Sequence, residues 1–258
     1  MRFRAFGIPV RLDLTFLVIV LIGGFRRLED IAAWSLAAFL AVLAHELGHA
    51  LTARAFGVRG ISITLFALGG VTTYPAVPRL APGRQFLVSA AGSAVGLVVG
   101  GAAFVLGRAG VFDGADRVVI VFVSSLVWVG AVFGLFNWLP IRPLDGGQMM
   151  TSLLELATDR RRADTIARVV SLGVGSIAAV LAFMYLTPFA GVFVILITLA
   201  GLRSGPREPD TSAPSQTPPA SQAPASPPPA GGASGMDTSA YDSGPQPPQN
   251  DESDPFPI

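Results

Sequence analysis

Residues 31–44 run without a single charge, and the five that follow are His45-Glu46-Leu47-Gly48-His49. Continued to Arg54, the stretch is long enough to cross the ~30 Å hydrocarbon core of a bilayer as one helix. On a helix, residues four apart share a face, so both imidazoles point the same way about one turn apart. That spacing allows two ring nitrogens to hold one Zn²⁺, and Glu46 follows the first of them, where a carboxylate can accept a proton from water. These are the only two histidines in 258 residues. A buried histidine is more often satisfied by a backbone carbonyl than by a metal, and the five-residue pattern alone divides the two accounts about evenly. The uncharged flank tips the balance, because ionisable groups inside a spanning helix are costly and mark a functional site with a partner.

Composition agrees with a membrane environment: the chain is 51% hydrophobic and 14% charged, with a mean hydropathy of +0.58, outside the range of ordinary globular domains. There is no cysteine, so disulfides and thiolate metal sites are excluded. A net charge of +1 offers nothing to nucleic acid, and every basic residue is arginine, as in proteins from GC-rich genomes.

In chain order, residues 1–11 form a short basic segment and residues 14–25 an apolar run. The pair lacks a small-x-small cleavage site before Arg26-Arg27 and reads as a first transmembrane helix rather than a signal peptide. Residues 31–56 are the second helix. In residues 61–74, Ile61, Ile63 and Leu65 alternate with Ser62 and Thr64 before Gly69-Gly70 breaks the run, which predicts a β-hairpin or re-entrant element at the membrane surface. Residues 86–106 make a third helix, dense in small residues that let backbones approach in lipid. Residues 118–139 make a fourth, ended by Pro140 and Pro143. A short segment over 147–157 and a charged stretch over 159–164, outside the bilayer, precede a fifth and a sixth helix over 166–186 and 189–202, divided at Pro188.

The predicted fold is therefore an all-α polytopic bundle of about six transmembrane helices with a small membrane-associated β element, over residues 1–202. Residues 203–258 hold 14 of the 21 prolines; such a composition cannot bury enough apolar surface to order itself and predicts a disordered cytoplasmic tail that solubilises the chain or docks a partner.

With six spans and the N-terminus inside, 14 arginines fall on the inner side and only Arg26, Arg27, Arg108 and Arg117 on the outer. This split predicts cytoplasmic termini. Arg54 lies nine residues beyond His45, about 13 Å along a helix, so a metal would sit within the membrane nearer the cytoplasmic face.

A zinc ion on two histidines needs at least one more protein ligand. Asp145 is the best placed acid, following the fourth helix in Asn137-Trp138-Leu139-Pro140-Ile141-Arg142-Pro143-Leu144-Asp145-Gly146-Gly147. It could equally cap the helix that starts after the two glycines, and the roles are compatible.

The two motifs, His45-Glu46-Leu47-Gly48-His49 and Asn137-x-x-Pro140-x-x-Pro143-Leu144-Asp145-Gly146-Gly147, on separate transmembrane helices resemble those of the site-2 protease family of intramembrane zinc metalloproteases. The resemblance covers roughly residues 7–200. It implies that His45, His49 and Asp145 bind one zinc ion, that Glu46 is the catalytic base, and that Asn137 positions substrate or stabilises the oxyanion. The hairpin with Gly69 and Gly70 resembles an element that clamps an extended substrate, in keeping with strand addition to an exposed edge. Implied substrates are membrane-anchored proteins such as anti-sigma factors, transcription-factor precursors or remnant signal peptides, cut within the bilayer of a bacterial cell membrane. Without room for a PDZ or CBS module, the chain resembles the family's compact subgroup. Two positions depart from the pattern, Gln148 where relatives often carry Arg and Ser93 where a Pro often follows the glycine; neither is expected to touch the chemistry. The alternatives are a membrane zinc-binding adaptor without activity and a metal transporter; transporters usually show several polar helices or a repeated half, and this chain shows one polar focus.

Overall fold

The computed structural model describes residues 1–19, 23–67, 69–74 and 79–203. The N-terminal residues form strands. β1 (Arg2–Ala5) and β2 (Ile8–Leu12) pair antiparallel across a tight turn in which Phe6 and Gly7 take positive φ. The predicted hairpin is present as β3 (Ser62–Phe66) and β4 (Gly69–Thr73), and it joins the first pair in one sheet of order β1-β2-β3-β4. β2 and β3 are parallel. Parallel neighbours need a crossover connection, which here is the helix carrying both histidines, α1 (Leu28–Ala55). Side chains alternate along the strands: Ile8, Val10, Ile63 and Leu65 are buried in one cluster with Ala38, Ala41, Val42, Ala50 and Ala53 of α1, while Arg2, Arg4 and Arg11 are exposed.

Among the described residues, the expected first spanning helix over 14–25 is not found. Asp13 accepts hydrogen bonds from the backbone N–H and the hydroxyl of Thr15, which hold its carboxyl below the usual carboxylate range, and caps a short 3-10 turn, Leu14–Leu17. The chain then runs along the first half of α1. Phe16 packs edge-on against Phe39 and the Trp34 indole donates to the Ile19 carbonyl at 2.7 Å. Residues 20–22 lie outside the described residues. A run of twelve residues makes only ~18 Å of helix, too short for the bilayer, and Phe16 and Ile19 pack against α1 instead.

Five helices follow. They are α2 (Pro82–Arg108), α3 (Arg117–Asn137, with a π turn at Trp128–Phe133), α4 (Asp145–Ala157), α5 (Arg160–Tyr185) and α6 (Pro188–Arg203). Among the described residues, α1, α2, α3 and α5 are long and apolar enough to cross a membrane, against the six spans expected. α5 begins inside the charged stretch expected outside the bilayer; Asp159 caps it by accepting from the Arg162 N–H. The predicted tail lies outside the described residues beyond Arg203.

At the start of α1, Asp30 is 1% exposed and accepts two bonds from Arg117 Nε at 3.1 Å and one from its Nη2 at 2.9 Å, tying α1 to α3. Removing the arginine leaves a buried carboxylate without its counter-ion, whereas the guanidinium itself is open to solvent, which weakens the pair. Arg117→Ala is expected to destabilise the fold, read as a lower melting temperature of the detergent-purified chain. An unchanged melting temperature would show that the pair contributes nothing.

Candidate metal centre

Two imidazoles from α1 and a carboxylate from the start of α4 converge inside the bundle. The Nε2 atoms of His45 and His49 lie 3.2 Å apart, Asp145 Oδ2 lies 3.2 Å from the first, and Oδ1 lies 3.3 Å from the second. All three residues are buried. A tetrahedral zinc with bonds near 2.05 Å requires its ligand atoms to be ~3.3 Å apart. His49 Nδ1 lies 2.7 Å from the Val88 carbonyl, which only accepts, so the proton belongs on Nδ1 and the neutral ring turns a lone pair toward the cluster. Lone pairs facing a carboxylate at this range repel unless a cation lies between them. Spacing, tautomer and donor set all suit a zinc ion.

Close backbone contact makes this possible. A Cβ on Gly48 would lie 2.7 Å from the Ala91 carbonyl of α2, and one on Gly92 would enter the His49 ring. The glycine inside the histidine motif thus lets α1 and α2 touch, and Gly92 leaves the space His49 fills.

Asp145 does not act as the helix cap that its position allows. The N-cap is Leu144, with no side-chain capping bond, and Asp145 is the first helical residue. The preceding turn is held by α5: Ser171 Oγ accepts from the Arg142 N–H at 3.1 Å and donates to the Pro140 carbonyl at 3.3 Å, and Arg142 pairs with Asp164.

Glu46 is buried one residue on from His45, about 100° around the helix, and so faces the sheet rather than Asp145. Thr72 of β4 donates to its Oε2 at 2.7 Å and contacts its carbonyl oxygen at 3.1 Å. Gly70 lies so close that a Cβ there would collide with the Glu46 side chain. Gly69, at φ +130, faces Phe133, whose ring packs edge-on against His45 with centroids 5.5 Å apart. Asn137 is buried, but its amide donates to the Phe133 carbonyl at 3.1 Å rather than to the ligand cluster.

Two polar partners of the site escaped the sequence reading. Thr72 looked like an ordinary strand residue. Ser93 was expected to stand clear of the chemistry; instead its hydroxyl donates to Asp145 Oδ2 at 2.9 Å. Gln148, by contrast, is exposed. The only signal for Ser93 was a hydroxyl next to Gly92 on a helix of small residues.

Residues 112–182 match Peptidase family M50, over a segment that includes α3, the turn bearing Asp145 and most of α5. A zinc metalloprotease of Methanocaldococcus jannaschii is 26% identical over 202 residues, 76% of this chain and 56% of its own. A Synechocystis sp. protein, provisionally named as a zinc metalloprotease, is 32% identical over 163 residues, 62% of this chain and 42% of its own. The chain thus spans about half the length of these relatives. A solved site-2 protease from Methanocaldococcus jannaschii superposes with a TM-score of 0.58, covering 81% of this chain and 98% of that one; at 22% identity the likeness is one of fold. The family match thus falls on the very turn that brings Asp145 to the two histidines, and over residues 112–182 the chain is similar to peptidase family M50.

Proposed function

We propose that this membrane protein is a zinc-dependent endopeptidase that hydrolyses peptide bonds within or beside the transmembrane segments of membrane-anchored proteins, as in regulated intramembrane proteolysis. One observation carries the reading: His45, His49 and Asp145 converge at tetrahedral spacing with the Glu46 carboxylate alongside, on helices apolar enough to cross a bilayer. These three side chains would hold one ion per chain. Zinc, when bound, supplies Lewis acidity that brings water ionisation toward neutral pH and polarises a carbonyl.

Glu46 is the proposed general base, taking a proton from the attacking water and passing it to the leaving amine. Thr72 holds one of its oxygens through the 2.7 Å bond, which leaves the other for that exchange. The edge strand β4, with Gly69 and Gly70, lies beside the base and offers backbone groups to an extended substrate, which must first leave its own helical hydrogen bonds. Asn137 is the proposed oxyanion or substrate contact; to serve, its amide has to give up the Phe133 carbonyl. A cytoplasmic position for the Arg54 end of α1 is supported by Arg54, Arg59, Arg79 and Arg84, which lie from the end of α1 to the start of α2; the wider split expected for both termini counts six spans, whereas four are described. Arg54 donates to the Phe6 carbonyl at 2.7 Å, so the N-terminal hairpin shares the arginine-rich end of α1.

The test uses detergent-purified full-length chain and a panel of single-span protein substrates, with products mapped by mass spectrometry and zinc measured alongside. Wild type is expected to cut within the spanning segment and to carry about one zinc per chain. Glu46→Gln should lose on the order of 10²–10⁴-fold in rate while keeping its zinc; cleavage at the wild-type rate would remove Glu46 from the mechanism. Asp145→Ala should lower zinc occupancy as well as activity, and undiminished affinity would show that the ion has another third ligand. Chelation is expected to stop cleavage and added zinc to restore it. Zinc flux in proteoliposomes without any cleavage would favour transport instead.

A further inference from the structure

Hydroxyls on the helices of this chain mostly turn back on their own backbone. Ser125 donates to the Val121 carbonyl at 2.6 Å, Thr151 to Gly147 at 2.7 Å, Thr165 to Arg161 at 2.9 Å and Thr198 to Val194 at 2.8 Å, each one turn earlier. Ser93 breaks the habit. Fully buried on α2, it sends its hydrogen across to α4, where Asp145 Oδ2 accepts it at 2.9 Å.

The carboxylate has few other partners. Among the described residues, its remaining polar contacts are the Nε2 atoms of His45 and His49. His49 keeps its proton on Nδ1 for Val88, so in the neutral ring its Nε2 has none to donate. A buried carboxylate that lacks donors is costly and free to turn about its side-chain torsions. Ser93 supplies a hydroxyl donor whose direction does not depend on an imidazole tautomer, and it does so from the residue next to Gly92, whose bare Cα makes room for His49. One turn of α2 therefore bears on two of the three candidate ligands.

We propose that Ser93 is a positioning residue for the metal centre, holding the Asp145 carboxylate toward the two imidazoles through its hydroxyl. The inference rests on the reading of the His45, His49 and Asp145 cluster as a divalent-metal site. It assigns to Ser93 the part that outer hydrogen-bond partners play at metal centres generally, where their removal costs 10–100-fold in affinity.

The test compares wild type, Ser93→Ala and Ser125→Ala, all full-length in detergent; Ser125 is similarly buried but bonded to its own helix. Each is stripped of metal, then titrated with Zn²⁺ against a chromophoric chelator, and separately loaded with Co²⁺ to record the visible ligand-field bands. Ser93→Ala is expected to bind Zn²⁺ about 10–100-fold more weakly than wild type and to shift the cobalt bands. Ser125→Ala should match wild type in both. Wild-type affinity and spectrum in Ser93→Ala would overturn the proposal. So would equal losses in the two variants, since these would reflect packing and not the bond to Asp145. Failure of folded wild type to bind either ion would instead overturn the metal reading, and the inference with it.

Discussion

Ionisable side chains inside an apolar helix bundle must satisfy one another, since neither water nor lipid will do it. The centre of this protein is arranged around that constraint. His49 can present a lone pair only because its other nitrogen reaches the Val88 carbonyl. It reaches Val88 only because Gly48 and Gly92 let α1 and α2 come into backbone contact. The same contact brings Ser93 within hydrogen-bond range of Asp145. A methyl group at either glycine would open the interface by more than these bonds tolerate.

The β-sheet serves the other side of the site. As the crossover between parallel β2 and β3, α1 is packed onto the buried face of the sheet, and this fixes its rotation. His45 and His49 then face Asp145, while Glu46, a third of a turn away, faces β4 and meets Thr72 and Gly70. The two candidate histidine ligands and the proposed base belong to one helix but answer to different neighbours. Any movement of the edge strand that admits a substrate acts first on the partner of the base.

The turn between α3 and α4 delivers the third candidate ligand from outside α1. It is held from behind by Ser171 and by the pairing of Arg142 with Asp164, so α5, although remote from the imidazoles, helps to set where Asp145 begins its helix. Earlier in α3, the π turn brings Phe133 against His45, with its carbonyl occupied by Asn137. Such turns recur at functional sites because they redirect side chains without ending the helix.

Much of this was open to inspection in the chain itself. Residues four apart on an uncharged helix share a face whatever surrounds them, which made His45 and His49 a pair, and the long apolar runs announced the major helices by length alone. The β3–β4 hairpin showed in its alternation. The N-terminal hairpin was equally legible, in the alternation of Arg2, Phe3, Arg4, Ala5 and of Ile8, Pro9, Val10, Arg11, but its arginines made residues 1–11 read only as a short basic segment ahead of an apolar run. What only the tertiary structure decided are the contacts between distant parts: that Asp145 turns inward instead of capping α4, that Ser93 bonds across helices, and that Thr72 meets Glu46. Periodicity describes which face of an element a residue occupies; it carries no information about which other element that face will touch, and the partners His49 and Asp145, Ser93 and Asp145, and Glu46 and Thr72 lie 96, 52 and 26 residues apart.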